Sequence, residues 1–301
     1  MRAFVTGGHG FVGPWLRRHL SSCGDEVVAP GPEVDVTIPG SVGAAIDEAR
    51  PDAVYHLAAQ SSVGSSWSVV EQTFLVNTLG AVNVLEAASA LASRPRVLVV
   101  SSAEVYGAVR PDELPVSEDA PFRPATPYAA SKAAAELAGL QAFLGQGLEV
   151  VRARPFNHTG PGQRSQFVVP ALARQIAEAA RQGGPAVETG NLRVSRDVCD
   201  VRDVVRAYRL LVEKGRAGQV YNVCTGRSQA IEALARRLLD LAGLKLDLVV
   251  DPDRVRPVDV PDMRGDPTRL QRETGWQPVV PLDQTLADVL DYWRDPAARP
   301  A

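Results

Sequence analysis

The sequence predicts an α/β protein: a doubly wound parallel sheet with a smaller C-terminal α/β domain. Short β-branched runs alternate with longer amphipathic stretches through the first half of the chain. Those runs are apolar almost without interruption, as strands covered by helices on both faces require. The 301 residues, 45% of them hydrophobic, suffice for one large domain or two joined ones.

The elements follow in order. Phe4-Val5 reads as the first strand and Phe11 to Leu20 as the first helix. Val27-Val28-Ala29 and Ala53 to Ala58 read as the next strands, followed by a helix from Thr73 to Ala90. Arg96 to Val100, a helix from Ala129 to Phe143, and Leu148 to Val151 complete the alternation. After Pro155 the texture changes. Glycines and prolines cluster at 160–162 and 183–185, and helices read from Val168 to Gln182, Val201 to Lys214 and Gln229 to Leu241. A Pro-rich charged stretch spans Asp251 to Pro267, and a Pro/Ala tail follows Asp295. We therefore place one domain at 1–165 and a second at 166–301, with Val220-Tyr221-Asn222-Val223, near 219–224, returning to the first sheet.

Several function classes are disfavoured. Lys plus Arg number 32 against 35 Asp plus Glu, a net charge of −3, so no excess positive charge is available to neutralise a phosphate backbone. Nucleic-acid binding is not expected. Cys23, Cys199 and Cys224 are odd in number, far apart and without a C-x-x-C pair, which argues against a disulfide framework and a thiolate zinc site and fits a reducing cytoplasm. Four scattered histidines contain no H-x-x-x-H, so no metal is expected in the chemistry. Nowhere do about 18 apolar residues run together, and neither export nor a membrane anchor is expected.

Gly7-Gly8-His9-Gly10-Phe11-Val12-Gly13 stands directly after the first strand and before the first helix. A turn there needs positive φ, and glycines let backbone amides approach a pyrophosphate at the helix N-terminus, where the macrodipole favours negative charge. A dinucleotide is expected, with Gly7, Gly10, Phe11 and Val12 around it. An acidic residue at the end of the second strand would mark NAD(H), and a basic one NADP(H). That strand ends Ala29-Pro30-Gly31, which offers neither, so both cofactors stay open. Asp35 is either a contact to the adenine end or an exposed loop aspartate.

Tyr128-Ala129-Ala130-Ser131-Lys132 puts a phenol and an ammonium on one face of a helix whose start is marked by Thr126-Pro127. A neighbouring ammonium stabilises a phenolate and lowers the tyrosine pKa, which suits a group that exchanges a proton while hydride moves. Random spacing of six tyrosines and three lysines predicts roughly 0.06 such pairs. Upstream, Ser101-Ser102-Ala103-Glu104 follows a buried strand and emerges at the carboxyl edge of the sheet, where ligands of open α/β folds bind. Ser102 can hold the reacting oxygen. Glu104 is either a general base or a loop carboxylate.

Together these residues resemble the extended short-chain dehydrogenase/reductase family, nucleotide-sugar epimerases, dehydratases and reductases on a Rossmann-type fold. The resemblance runs from the glycine turn to Gly275-Trp276-Gln277-Pro278. It implies a catalytic set of Ser102, Tyr128 and Lys132, with Asn77 near the site. It also implies cofactor contacts from Leu57, Ala58, Ala59 and Pro155. In the second half, Arg154 to Gln163, Phe167-Val168, Gly190-Asn191-Leu192, Arg196-Asp197 and Arg256 to Pro261 are similar to the GDP-4-keto-6-deoxy-D-mannose reductase branch. That similarity implies substrate contacts from Asn157, Val168, Arg174, Asn191, Arg196, Arg256 and Asp259, the arginines acting as bidentate donors to a diphosphate. His158 reads as a loop packing residue.

Reduction, dehydration and epimerisation share the Ser, Tyr, Lys core. A 4,6-dehydratase also needs an acid for the departing C6 hydroxyl, and Ala103 cannot donate a proton, although Glu104 could still take one. The expected activity is therefore reduction of the C4 ketone of a GDP-4-keto-6-deoxy-mannose-type sugar, in deoxysugar biosynthesis. The alternatives are GDP-mannose 4,6-dehydration with Glu104 as base, 4-epimerisation, and a non-catalytic dinucleotide-binding sensor. The resemblance also implies a homodimer built from the helices near 70–90 and 128–145, where Ala129, Ala133, Ala134 and Ala138 would suit either a partner helix or packing on the sheet.

Overall fold

A computed structural model describes residues 1–254 and 260–295. The chain begins with β1 (Arg2–Thr6), α1 (Val12–Ser22), β2 (Glu26–Val28), α2 (Pro39–Ala49) and β3 (Ala53–His56). Next come α3 (Val70–Phe74), a π-helical turn (Leu75–Leu79), α4 (Gly80–Ala90), β4 (Arg96–Val100), α5 (Pro127–Gln146) and β5 (Val150–Pro155). The rest supplies β6 (Asn157–Thr159), α6 (Val168–Gln182), β7 (Ala186–Thr189), β8 (Ser195–Asp200), α7 (Val201–Lys214) and β9 (Val220–Val223). It closes with β10 (Ser228–Ala230), α8 (Ile231–Ala242), β11 (Asp247–Val250), β12 (Asp262–Met263), α9 (Thr268–Thr274) and α10 (Leu282–Arg294).

The central sheet has the order β2-β1-β3-β4-β5-β9, with every pair parallel. Alternate strand residues point to opposite faces. Val5, Tyr55, Leu98 and Val151 meet α1 and α7 on one face, while Phe4, Val54, Val97 and Val150 meet α2, α4 and α5 on the other. Both faces are thus covered, which explains the unbroken apolar strands. The strand order reverses between β1 and β3, and the crevice beyond that point is where such sheets bind ligands.

A second layer combines the sheet β10-β8-β12, with β6 beside β8, and a separate β7–β11 pair. Helices α6, α8 and α10 close its core through Leu172, Ile176, Leu234, Leu238, Leu286 and Val289.

Two expectations change. The helix read from Thr73 to Ala90 begins at Val70 and is interrupted by the π-helical turn around Asn77. The division at 165/166 does not separate the two layers either. Val204, Val205, Tyr208, Leu211 and Val212 of α7, Leu270 of α9 and Trp276 all pack into the core of the first sheet, and the Trp276 indole donates to the Asp203 carbonyl at 2.9 Å. An amphipathic stripe states that a helix has a buried face, not which sheet it covers.

Candidate active site

The turn after β1 is shaped by close backbone approach. Gly7 has φ +66°, and a Cβ there would lie 2.7 Å from the Ala58 nitrogen. At Gly13 a Cβ would lie 2.4 Å from the carbonyl of Gly8, so α1 can seat against the turn only without one. Gly10 is different: the nearest atom to its Cβ position is the Gly7 carbonyl oxygen at 3.4 Å, and its surface is exposed. The first turn of α1 has no side-chain cap and no acidic residue, so its amides face outward for an anion. Phe11 stacks on His158 with ring centroids 6.0 Å apart, which gives His158 the packing role expected of it. Leu57 and Ala58, at the end of β3, are tied to Thr6, whose hydroxyl accepts from the Ala58 amide and also meets His56 Nδ1 at 2.9 Å. Ala59 follows them. Asp35 caps its own loop, accepting from the amide and hydroxyl of Thr37, each at 2.8 Å.

The second group stands at the ends of β4 and β5. Ser102 is buried, caps a short 3-10 turn by accepting from the Glu104 amide at 3.2 Å, and lies beside the Tyr128 phenol. Tyr128 and Lys132 lie one turn apart on α5, with Lys132 only 4% exposed. Among the described residues no hydrogen bond or ion pair engages its ammonium. Burial pulls Lys132 down to about 8, with the Glu136 carboxylate opposing the shift. Burial likewise pushes Tyr128 up to about 12, against the lowering effect of the neighbouring Ser102 hydroxyl, and the Glu104 charge adds to the rise. The expected lowering of the tyrosine is therefore not what the chain produces, because desolvation and the Glu104 charge outweigh the effect of Ser102. Ala103 is buried and offers no proton.

Local sequence explains why α5 holds these groups where it does. Thr126 accepts from the Ala129 amide at 3.1 Å and Pro127 starts the helix, fixing its first turn. The amide of buried Asn77 donates to Ser131 Oγ (2.9 Å) and to the Gln60 carbonyl (3.1 Å), and its oxygen accepts from the Gln60 amide (2.7 Å). Asn77, expected beside the cofactor, thus uses its side chain to tie the loop after β3 to the turn carrying Tyr128. One turn past Lys132, buried Glu136 accepts from Arg154 on β5 at 2.8 Å, and Arg154 donates on to Tyr106, which holds Asn222 of β9. The signal for this network was two arginines, Arg152 and Arg154, inside an otherwise apolar strand.

Beyond Pro155, the last residue of β5, a cleft of about 430 Å³ opens toward the second layer. Asn157, Val168, Asn191 and Arg196, expected as substrate contacts, line it, as does Phe167 of the resembling segment; Glu188 and Arg254 also line it and were not anticipated. The N-terminus of α6 has neither side-chain cap nor acidic first-turn residue and borders this cleft. Arg196 is held by the carbonyls of Ser195 (2.8 Å) and Val260 (2.7 Å). Arg174 is not part of the lining: it sits half-exposed on α6, paired with Glu178 at 3.7 Å. Arg256 and Asp259 lie outside the described residues.

The glycine turn, the exposed surface at Gly10 and the buried Lys132 ammonium fit a nicotinamide dinucleotide. No helix among the described residues is long and apolar enough to cross a membrane. The family model for GDP-mannose 4,6 dehydratase matches residues 32–289. The chain is 42% identical over 296 residues to a GDP-6-deoxy-D-mannose reductase of Pseudomonas aeruginosa, covering 97% of both chains. It is 30% identical over 282 residues to a GDP-6-deoxy-D-talose 4-dehydrogenase of Aggregatibacter actinomycetemcomitans, covering 91% of this chain and 92% of that one. A solved structure of RMD from Pseudomonas aeruginosa complexed with NADPH superposes with a TM-score of 0.91 at 40% identity, covering 97% of this chain and 98% of the other.

Proposed function

The chain belongs to the GDP-mannose 4,6 dehydratase family, nucleotide-sugar oxidoreductases of the extended short-chain dehydrogenase type, and on that premise we propose that it reduces the C4 ketone of a GDP-4-keto-6-deoxy-mannose-type sugar. The cofactor is NADPH or NADH, the former supported by the NADPH in the similar solved structure. When bound, the nicotinamide supplies the hydride. Tyr128 donates a proton to the oxygen at C4, Ser102 holds that oxygen, and Lys132 binds the ribose while its positive charge faces the phenolate left behind. Gly7, Gly10, Phe11 and Val12 cradle the pyrophosphate, with Leu57, Ala58, Ala59 and Pro155 flanking the cofactor. Asn157, Asn191 and Arg196 face the sugar nucleotide.

The observation that carries this reading is the grouping of Tyr128 with buried Ser102 beside it and the buried Lys132 ammonium one turn away on the same helix. A protonated phenol is poised to give a proton, the requirement for ketone reduction. Dehydration is the second reading, favoured by the Glu104 carboxylate beside Tyr128 and opposed by buried Ala103. Incubation with GDP-mannose and with its 4-keto-6-deoxy derivative plus NADPH separates the two. Reduction consumes NADPH only with the keto-sugar. Formation of keto-sugar from GDP-mannose without added cofactor would establish dehydration instead.

A homodimer is part of the same proposal. Trp67, Val70, Phe74 and Leu79 are exposed along the α3 segment, beside Leu137 (50%) and Leu144 (72%) on α5. Leu137 and Leu144 are seven residues apart and share one helix face. Ala129 and Ala133 pack inside the chain, so the outer line of leucines, not those alanines, is what a partner would meet. Replacing both Leu137 and Leu144 by glutamate is expected to convert dimer to monomer in sedimentation velocity; an unchanged dimer would place the interface elsewhere. We also place the protein in the cytoplasm, in keeping with its three free cysteines.

A further inference from the structure

We propose that Glu188 reads the base of the nucleotide sugar, accepting hydrogen bonds from the N1–H and 2-amino group of guanine. This rests on the GDP-sugar reading above and names the group that selects guanine.

Glu188 is the one carboxylate among the described residues lining the 430 Å³ cleft, and a cleft of that size suits a nucleoside. Its backbone is fixed on both sides by one side chain: Gln175 accepts from the Glu188 amide and donates to its carbonyl, each at 2.9 Å. Strand β11 pairs with β7 in register, Val249 opposite Glu188. The carboxylate is ion-paired with Arg254, which is itself anchored by Asp251 at 3.0 Å. Arg254 can approach this closely because the neighbouring loop carries Gly190, where a Cβ would lie 2.6 Å from the Arg254 carbonyl oxygen. The result is an acceptor held in place by Arg254 and open to solvent (59% exposed), in a residue that lines the cleft together with Phe167 and Val168.

The chemistry of the bases then decides. An ionised carboxylate only accepts, and the Arg254 contact leaves lone pairs on both oxygens. Guanine presents two adjacent donors, N1–H and the 2-amino group, which match two carboxylate oxygens. Adenine presents an acceptor at N1 and uracil acceptors on both sides of N3–H, so each sets a lone pair against the carboxylate. Hypoxanthine keeps N1–H and lacks the 2-amino group, which isolates half of the interaction. Phe167 and Val168 supply apolar surface for the purine face.

The test measures binding of GDP, IDP and UDP to the full-length protein with NADPH present, for the natural chain and for Glu188→Gln. The natural chain is expected to bind GDP about ten-fold or more tightly than IDP, and UDP more weakly still, because a site built around a donor rejects the analogue lacking it. Glu188→Gln is expected to weaken GDP by about ten- to a hundred-fold and to bring GDP and IDP together, with NADPH affinity unchanged as the sign that the fold is intact. Equal GDP and IDP affinity in the natural chain, or discrimination preserved in Glu188→Gln, overturns the assignment. Turnover of the keto-sugar tests the reductase reading separately. Discrimination that depends on Glu188 supports this assignment even where no NADPH is consumed, and reduction that persists while Glu188→Gln keeps the preference for GDP over IDP overturns this assignment alone.

Discussion

Tyr128→Phe is expected to lower kcat for ketone reduction by about two or more orders of magnitude while leaving NADPH and GDP affinities nearly unchanged. The ring keeps its packing and Ser102 keeps the Glu104 amide, so the substitution removes the transferable proton and little else. Because the phenol is held at about 12, it stays protonated across the ordinary working range, and loss of its proton does not limit the rate there. Steady-state kinetics beside cofactor titration checks the expectation. Undiminished kcat would remove Tyr128 as the proton donor.

Lys132→Met is expected to have opposite effects on activity and stability: reduction falls by two or more orders of magnitude, and the cofactor-free protein becomes more stable at pH 7. Burial lowers this lysine from 10.5 to about 8. Below about pH 8 both folded and unfolded chains carry the charge, and folding bears its desolvation. Between about 8 and 10.5 the unfolded chain binds the proton that the folded chain has released, so stability of the natural protein rises with pH across that window. Methionine never carries the charge, so its advantage is largest at neutral pH, up to about 3 kcal/mol, and fades as the pH approaches 10.5. Calorimetry at pH 7 and pH 10 reads this as a Tm gain of several degrees that shrinks at the higher pH. A Tm loss independent of pH would mean that the ammonium is stabilised within the chain itself, contrary to its place as a group awaiting a ligand.

Much of the first layer was legible because its signals are local. A glycine turn between an apolar run and an amphipathic one, and Tyr128 four residues from Lys132 behind Thr126-Pro127, each declare their structure within about seven residues. What stayed hidden depends on distant partners. The short strands β6, β10 and β12 are two or three residues long and exist only because β8 lies beside them or beside a neighbour. Asn77 carried no signal for its place in a π-helical turn, since an extra residue in a helix is set by what Gln60 and Ser131 require across the fold. The rise of Tyr128 was unreadable for the same reason: spacing reveals that the lysine is near, and only the folded chain reveals how much water both have lost. Glu188 was missed because an aspartate or glutamate in a short edge strand looks like any solvated charge until the cleft beside it is seen.

The interleaving of the two layers has a thermodynamic outcome. The polypeptide leaves the first sheet after β5, returns as α7 and β9, leaves again, and returns as α9 and Trp276. Each large side chain so delivered contributes about 1.5–3 kcal/mol to a core that the first 165 residues cannot complete by themselves. The second layer is therefore stitched to the first at several points rather than suspended from one linker, and the two are expected to melt as a single cooperative unit, which one calorimetric transition would show.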